Sequence, residues 1–362
     1  MTGRFLRFGI AGLAAAAMLM SIPAAEAADM RAAKKEGKIL WYSSLLLSTS
    51  QKVCKAFNDR KLGIQCILHR DGSGKLYRRY RTEARGKLFK ADVIHTSNIG
   101  HFIIMNDKLK FIRPYKPKGV DRFVEDFKTK DNRWTIFRAS VMVPLYNTKL
   151  VKAEDVPTSW LDFLKPKWKK KLVVADPNYG GFATATMIAL SNMFGDDYYI
   201  KLRNNKPRTF DSAGATGVLV ARGEVLMTTG TVAYGAFDLI KKGEPVKMVI
   251  PKEGVPFVAS PASVLAKAPH PNAAEVFMDH LFSKDTQQLL ADNGLYVGHP
   301  DVKYPKAQTP LSALKLLKVD PQEMKKRSKP IRKKFTKIFR GILTEGKKAT
   351  KKRAKAARKG KN

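Results

Sequence analysis

Five short stretches place hydroxyl, amide and small residues where they could meet a ligand. They are Ser43-Ser44, Gly72-Ser73, Thr96-Ser97-Asn98, Asp176 through Thr184, and Thr228-Thr229-Gly230-Thr231-Val232-Ala233-Tyr234. Ser44, Ser73, Thr96 and Ser97 can present O–H and backbone N–H donors, although Ser, Thr and Asn are also ordinary helix caps and turn residues. The run Asp176-Pro177-Asn178-Tyr179-Gly180-Gly181-Phe182-Ala183-Thr184 reads as a strand exit that opens a helix. Its two glycines allow a tight turn, and a helix start leaves N–H groups unpaired, so the backbone of Gly181 and Phe182 is an expected anion site. Asp176 is expected to cap that helix or receive a polar ligand group. Thr229 lies in a second hydroxyl-rich exit, and Tyr234 can stack on a ligand or hydrogen-bond to it.

Other chemistries find little support. The six histidines show no H-x-x-x-H or similar spacing, so a dedicated transition-metal site is not expected. His69 and His95 sit beside strand ends, where they could reach a cleft, but read more readily as neutral, satisfied side chains. No G-x-S-x-G elbow or P-loop is present, and no base can be assigned to Ser73 in its G-S-G setting, so the chain does not read as an enzyme.

The elements that must position these residues follow from hydrophobic patterning. Ile39–Ser43, Ile64–Leu68 and Ala91–His95 are compact apolar runs, separated by helical runs at Ser48–Arg60 and Lys75–Lys87. This is β-α-β-α-β, the order of an open parallel sheet with helices on both faces, in which ligands bind where loops leave the carboxyl ends of strands. Two long β-rich segments, Thr135–Tyr146 and Val255–Ala266, read as crossovers into and out of a second α/β unit. That unit holds the strands Lys171–Ala175 and Val225–Met227.

The chain has 362 residues, enough for two or three domains, and a net charge of +37. Such a charge favours anionic partners. Residues 325–362 carry 18 Lys/Arg against one acid, Glu345, which is +17 and leaves +20 for the remainder. Within that tail, Pro330–Leu343 places Ile331, Phe335, Ile338, Phe339 and Ile342 at helical spacing. It reads as a basic amphipathic helix that docks on the first lobe or meets an anionic membrane surface, followed by a disordered tail. At the other end, Arg4 and Arg7, an uncharged run from Phe8 to Met20, and Ala25-Glu26-Ala27 form the three parts of a secretory signal peptide, so the mature chain is expected to begin near Ala28. Export makes nucleic acid an unexpected partner. Cys54 and Cys66 are the two cysteines; they form either a disulfide across a helix–strand contact or two buried thiols.

Several stretches resemble the periplasmic solute-binding proteins of ABC transporters, and more narrowly the branch of ferric-ion-binding proteins and their relatives that bind organic anions. They are Glu36–Ser44 (EGKILWYSS), Ser73–Asn98, Val143–Val151 (VPLYNTKLV), Ser159–Gly181, Ala221–Pro256 and Lys267–Gly294. The resemblance implies the type II periplasmic binding fold, α/β with two lobes joined by two hinge strands. Expected bounds are 1–27 for the signal peptide, 28–138 with 256–324 for lobe one, 139–255 for lobe two, and 325–362 for the basic helix and tail. It implies a periplasmic monomer that delivers solute to an ABC permease of the inner membrane, with the Asp176–Thr184 loop holding a carboxylate, a phosphate or the anion that accompanies ferric ion. The chain departs from the ferric pattern. Iron-binding relatives place two adjacent tyrosines where this chain has Tyr234-Gly235, and a His or acidic ligand where it has Leu45-Leu46-Leu47. The expected solute is therefore a small anion, with no cofactor. Fe3+ carried through Tyr234 is the alternative, and a polyanion- or envelope-binding protein acting through its tail is a third reading.

Overall fold

The computed structural model describes residues 29–129, 133–306 and 308–341. The expected signal peptide, its cleavage point and the last part of the tail lie outside the described residues. The chain opens with α1 (Met30–Glu36), β1 (Lys38–Ser43), α2 (Leu47–Asn58), β2 (Gln65–Arg70), α3 (Ser73–Arg85), β3 (Val93–His95), α4 (Ile99–Asp107) and β4 (Ile112–Arg113). The long strand β5 (Thr135–Asn147) leads to β6 (Leu172–Ala175), α5 (Gly181–Phe194), α6 (Asp197–Asn204), β7 (Arg208–Phe210), α7 (Ala213–Ala221), β8 (Met227–Val232), α8 (Ala233–Lys241) and β9 (Val246–Met248). The second long strand β10 (Val255–Leu265) returns the chain to α9 (Pro271–Phe282), α10 (Lys284–Asp292), β11 (Leu316–Leu317) and α11 (Pro321–Phe335).

The two lobes are two halves of one continuous sheet. Its order is β2-β1-β3-β10-β5-β8-β6-β7. β1 runs parallel to β2 and β3, and β6 runs parallel to β7 and β8. The two long strands cross between the halves and pair antiparallel to each other, Phe257 opposite Val141 and Ala259 opposite Ala139. β5 then continues past Val141 to pair with β8. Strands buried on both faces read as nearly continuous apolar runs, and β5 is buried at every position except Tyr146.

Each half has an aromatic core. Trp41, Phe57, Phe137, Phe277 and Phe282 are almost fully buried in the first, with Phe57 and Phe277 edge to face at 5.1 Å. Trp160, Phe163, Tyr198 and Leu202 fill the second. Cys54 of α2 and Cys66 of β2 form a disulfide that closes a 12-residue separation.

Two elements differ from expectation. β8 runs on to Val232, so Thr229 lies inside a strand and the exit begins at Ala233. The tail helix begins at Pro321, nine residues before the expected Pro330, because Asp320 caps it: its carboxylate accepts from the N–H groups of Gln322 and Glu323, and Pro321 occupies the first turn, where a missing N–H costs nothing. Pro330 sits inside the helix, and a π-helical turn, Thr336–Arg340, extends it.

Candidate functional site

Three of the expected hydroxyls gather at the edge of the first half. The Ser73 and Ser97 hydroxyls lie 2.8 Å apart, and the Ser97 N–H donates to the Ser73 and Ser44 hydroxyls, each at 3.1 Å. Parallel strands bring them together: Ser44 follows β1, Ser97 follows its neighbour β3, and Ser73 opens α3. Thr96 does not join the cluster. It is fully buried, and its hydroxyl accepts from the Asn98 N–H at 3.4 Å within the turn that starts α4.

The second half meets this cluster directly. A Cβ built on Gly181, the first residue of α5, would lie 2.1 Å from the carbonyl oxygen of Ser97. A Cβ on Gly72 would touch the Tyr179 carbonyl at 3.4 Å. The two halves are therefore closed on each other, and only glycine fits at 181.

Behind this seam lies a residue that the strand-exit reading missed. Arg138, on the crossing strand β5, is fully buried, and among the described residues none of its three guanidinium nitrogens has a hydrogen-bond partner. Its Cζ sits 5.5 Å from the ring centroids of both Phe182 and Tyr234. Those rings are 6.2 Å apart and come from the first turns of α5 and α8. Cation–π contact offsets part of the cost of burying the charge, but a buried guanidinium without an anion remains costly. Burial pushes its pKa down. His95, at the end of β3, is also buried; its Nε2 is unpartnered, while its Nδ1 meets the Ser43 hydroxyl at 3.2 Å. Burial, reinforced by the Arg138 charge, holds its pKa well below the usual imidazole range, so the ring is neutral. Phe182, Tyr234, Arg138 and His95 thus converge from both halves. A lone charge within the otherwise uncharged, β-rich run TIFRASVMVPLY was the available sequence signal.

Asp176 and Thr229 lie apart from this convergence. Asp176 does not cap α5. Its buried carboxylate accepts from Asn178 N–H at 2.8 Å and Asn178 Nδ2 at 2.7 Å, and it pairs with Arg340. Thr229 lines a small internal void of about 20 Å³ with Met187, Tyr198, Tyr199 and Phe335, because its strand position turns it toward α5. The Tyr198-Tyr199 pair is buried there, with both phenols pushed up by burial. Among the described residues, no group of three or more His, Cys, Asp or Glu side chains could hold a metal ion.

The comparisons with known proteins agree with this architecture. The family profile of bacterial extracellular solute-binding proteins matches residues 90–318. An Fe(3+)-binding periplasmic protein of Serratia marcescens is 27% identical over 274 residues, covering 72% of this chain and 79% of the relative. The structure of the periplasmic binding protein AfuA from Actinobacillus pleuropneumoniae, with fructose-6-phosphate bound, superposes with a TM-score of 0.74 at 21% identity, over 84% of this chain and 99% of AfuA. Iron-bound HitA from Pseudomonas aeruginosa gives 0.72 at 21% identity, over 82% and 99% of the two chains. With its two-lobed sheet, crossing strands and interlobe seam, the chain belongs to the bacterial extracellular solute-binding proteins, the periplasmic solute carriers of ABC importers.

Proposed function

We propose that this protein captures a small anionic solute, a carboxylate, phosphonate or phosphorylated compound, by closing its lobes over Arg138. The observation that carries this reading is the buried guanidinium with no hydrogen-bond partner among the described residues. It offers planar N–H donors to an acidic group from a water-poor site, where such a pair is strong. The Phe182 and Tyr234 rings would flank the bound group, and Ser44, Ser73 and Ser97 would supply hydroxyls from the opposite lobe. The N–H groups of Gly181 and Phe182 at the start of α5 add donors of the same sense. Asp176 and Thr229 would then serve the fold around this site.

Lobe one is proposed to comprise residues 28–138 and 256–324, and lobe two 139–255, with β5 and β10 as the pivots. Arg138 then stands at the pivot itself, where an anion would be reached by both lobes at once. Solute would select the closed state because only there do both sets of groups meet it.

Ferric ion is the alternative that the Serratia relative raises. A fixed buried cation beside Tyr234 opposes a trivalent metal there, as does Gly235 next to it. Thermal-shift titration of the mature protein against organic acids, sugar phosphates, phosphonates and ferric citrate separates the two. At least one anion should stabilise the protein, and ferric citrate should give no phenolate-to-iron absorption band. A ferric band that disappears in Tyr234→Phe would replace the anion by the metal.

A further inference from the structure

The helix α11 begins beyond the residues that the family profile matches, and it lies between the two lobes. It buries Met324, Ile331 and Phe335 along one face, spacings of seven and four residues that align on a helix. On the lobe-one side it packs against α4. The Lys325 backbone passes so close that a Cβ on Gly100 would lie 3.2 Å from its nitrogen, and Lys325 Nζ pairs with Asp107 at 3.2 Å. On the lobe-two side it lies along α5. Asn192 Nδ2 donates to Glu323 at 3.0 Å, Arg332 Nε donates to Thr184 at 3.4 Å, and Lys334 pairs with Asp196. Its last turns reach the loop before α5, where Asn178 Nδ2 donates to Thr336 at 3.2 Å and Arg340 pairs with Asp176.

A helix fixed to both lobes is a third connection between them, in addition to β5 and β10. Its contacts with α4 and with α5 can coexist only while those two helices stay at their closed separation. Opening must break one set. We propose that α11 is an interlobe latch, which biases the protein toward the closed state and slows the opening that admits and releases solute. The proposal rests on the hinge-closure reading above. It requires only the differential contact that any two-state shift requires: these bonds exist in one state and not in the other. The ion pairs on both sides are partly exposed, so the latch is adjustable and yields to salt.

The test is small-angle X-ray scattering of the full mature chain without solute. Two charge reversals act on opposite partners of the lobe-one pair: Asp107→Lys, which leaves α11 unaltered, and Lys325→Glu, which leaves α4 unaltered. Gly181→Leu is the control for opening, since its side chain cannot fit against Ser97. The expected result is a wild type that matches the closed structure. Gly181→Leu should have a larger radius of gyration, and each reversal should shift toward it with unchanged circular dichroism. Reversals that scatter like wild type while Gly181→Leu expands overturn the latch and leave hinge closure standing. A wild type already as expanded as Gly181→Leu also overturns the latch. If Gly181→Leu, folded, scatters like the closed structure, the hinge-closure reading fails, and the latch with it. If one reversal fails to fold, the other decides.

Discussion

Arg138 carries two opposed consequences for stability and binding. Without solute, its buried and unpaired charge is a cost that apolar replacement removes. With an anion bound as proposed, it would be the partner whose loss leaves that anion buried alone. Arg138→Met should therefore leave the unliganded melting temperature unchanged or higher, while weakening anion affinity by about 2–5 kcal/mol, at least ~30-fold. Calorimetric titration with the anion found in the thermal-shift screen checks the second part, and a melt without solute checks the first. A variant that loses stability and keeps affinity would make Arg138 a structural residue. This residue also marks where the sequence was legible. Ser44, Ser73 and Ser97 could be found from the rule that ligands meet strand exits, and they do cluster. Arg138 lies in mid-strand, outside that rule, and becomes visible only when strand crossing, burial and its aromatic neighbours are seen together. Gly181 reads as a flexible turn residue in the sequence. In the structure it is required for a different reason, the close approach of the Ser97 carbonyl from a segment about 80 positions away.

The elements were more legible than their ends. The first β-α-β-α-β order follows from alternating apolar runs and helical patterns, and β5 and β10 from their length and prolines. The end of β8 did not, because Thr228-Thr229-Gly230-Thr231 has the composition of a loop and is held as strand by pairing with β5. The start of α11 was readable in Asp320-Pro321, a capping residue before a first-turn proline, but Pro330 and the apolar residues after it draw attention to a later start. Where the amphipathic pattern was recognised, its stripe does serve docking, and it does so between two lobes rather than on one. Phe335 reaches the void beside Met187 and Tyr198 and is 1% exposed. Removing its ring should leave a cavity, so Phe335→Ala should lower stability by about 3–5 kcal/mol in urea unfolding, if the site does not collapse. A loss below ~1 kcal/mol would mean that α11 is only loosely attached.

The net charge is +37, and beneath that surface three buried imidazoles contribute to the acid response. His101 stacks on Tyr77 at 4.3 Å, and burial, with Arg332 and Arg78 nearby, pushes its pKa down to about 3. His280 lies 3.2 Å from the Val53 carbonyl, and burial holds it at about 4. His95 is lowered in the same direction. In the unfolded chain these imidazoles titrate near ~6.5. Between that pH and about 4 the unfolded state binds protons that the folded state refuses, so stability is full above ~6.5 and falls as pH drops through this window. The melting temperature should fall by at least ~5 °C from pH 7.5 to 4.5, and His280→Gln should flatten part of that slope. A flat profile would mean that the imidazoles are solvated.

Native mass spectrometry of freshly purified mature protein decides whether the closed lobes hold a small anion on Arg138. The wild type should carry a one-to-one adduct with the mass of an organic or phosphorylated acid, and Arg138→Met prepared identically should lack it. An iron adduct, or an anion adduct that survives Arg138→Met undiminished, would rule this binding mode out.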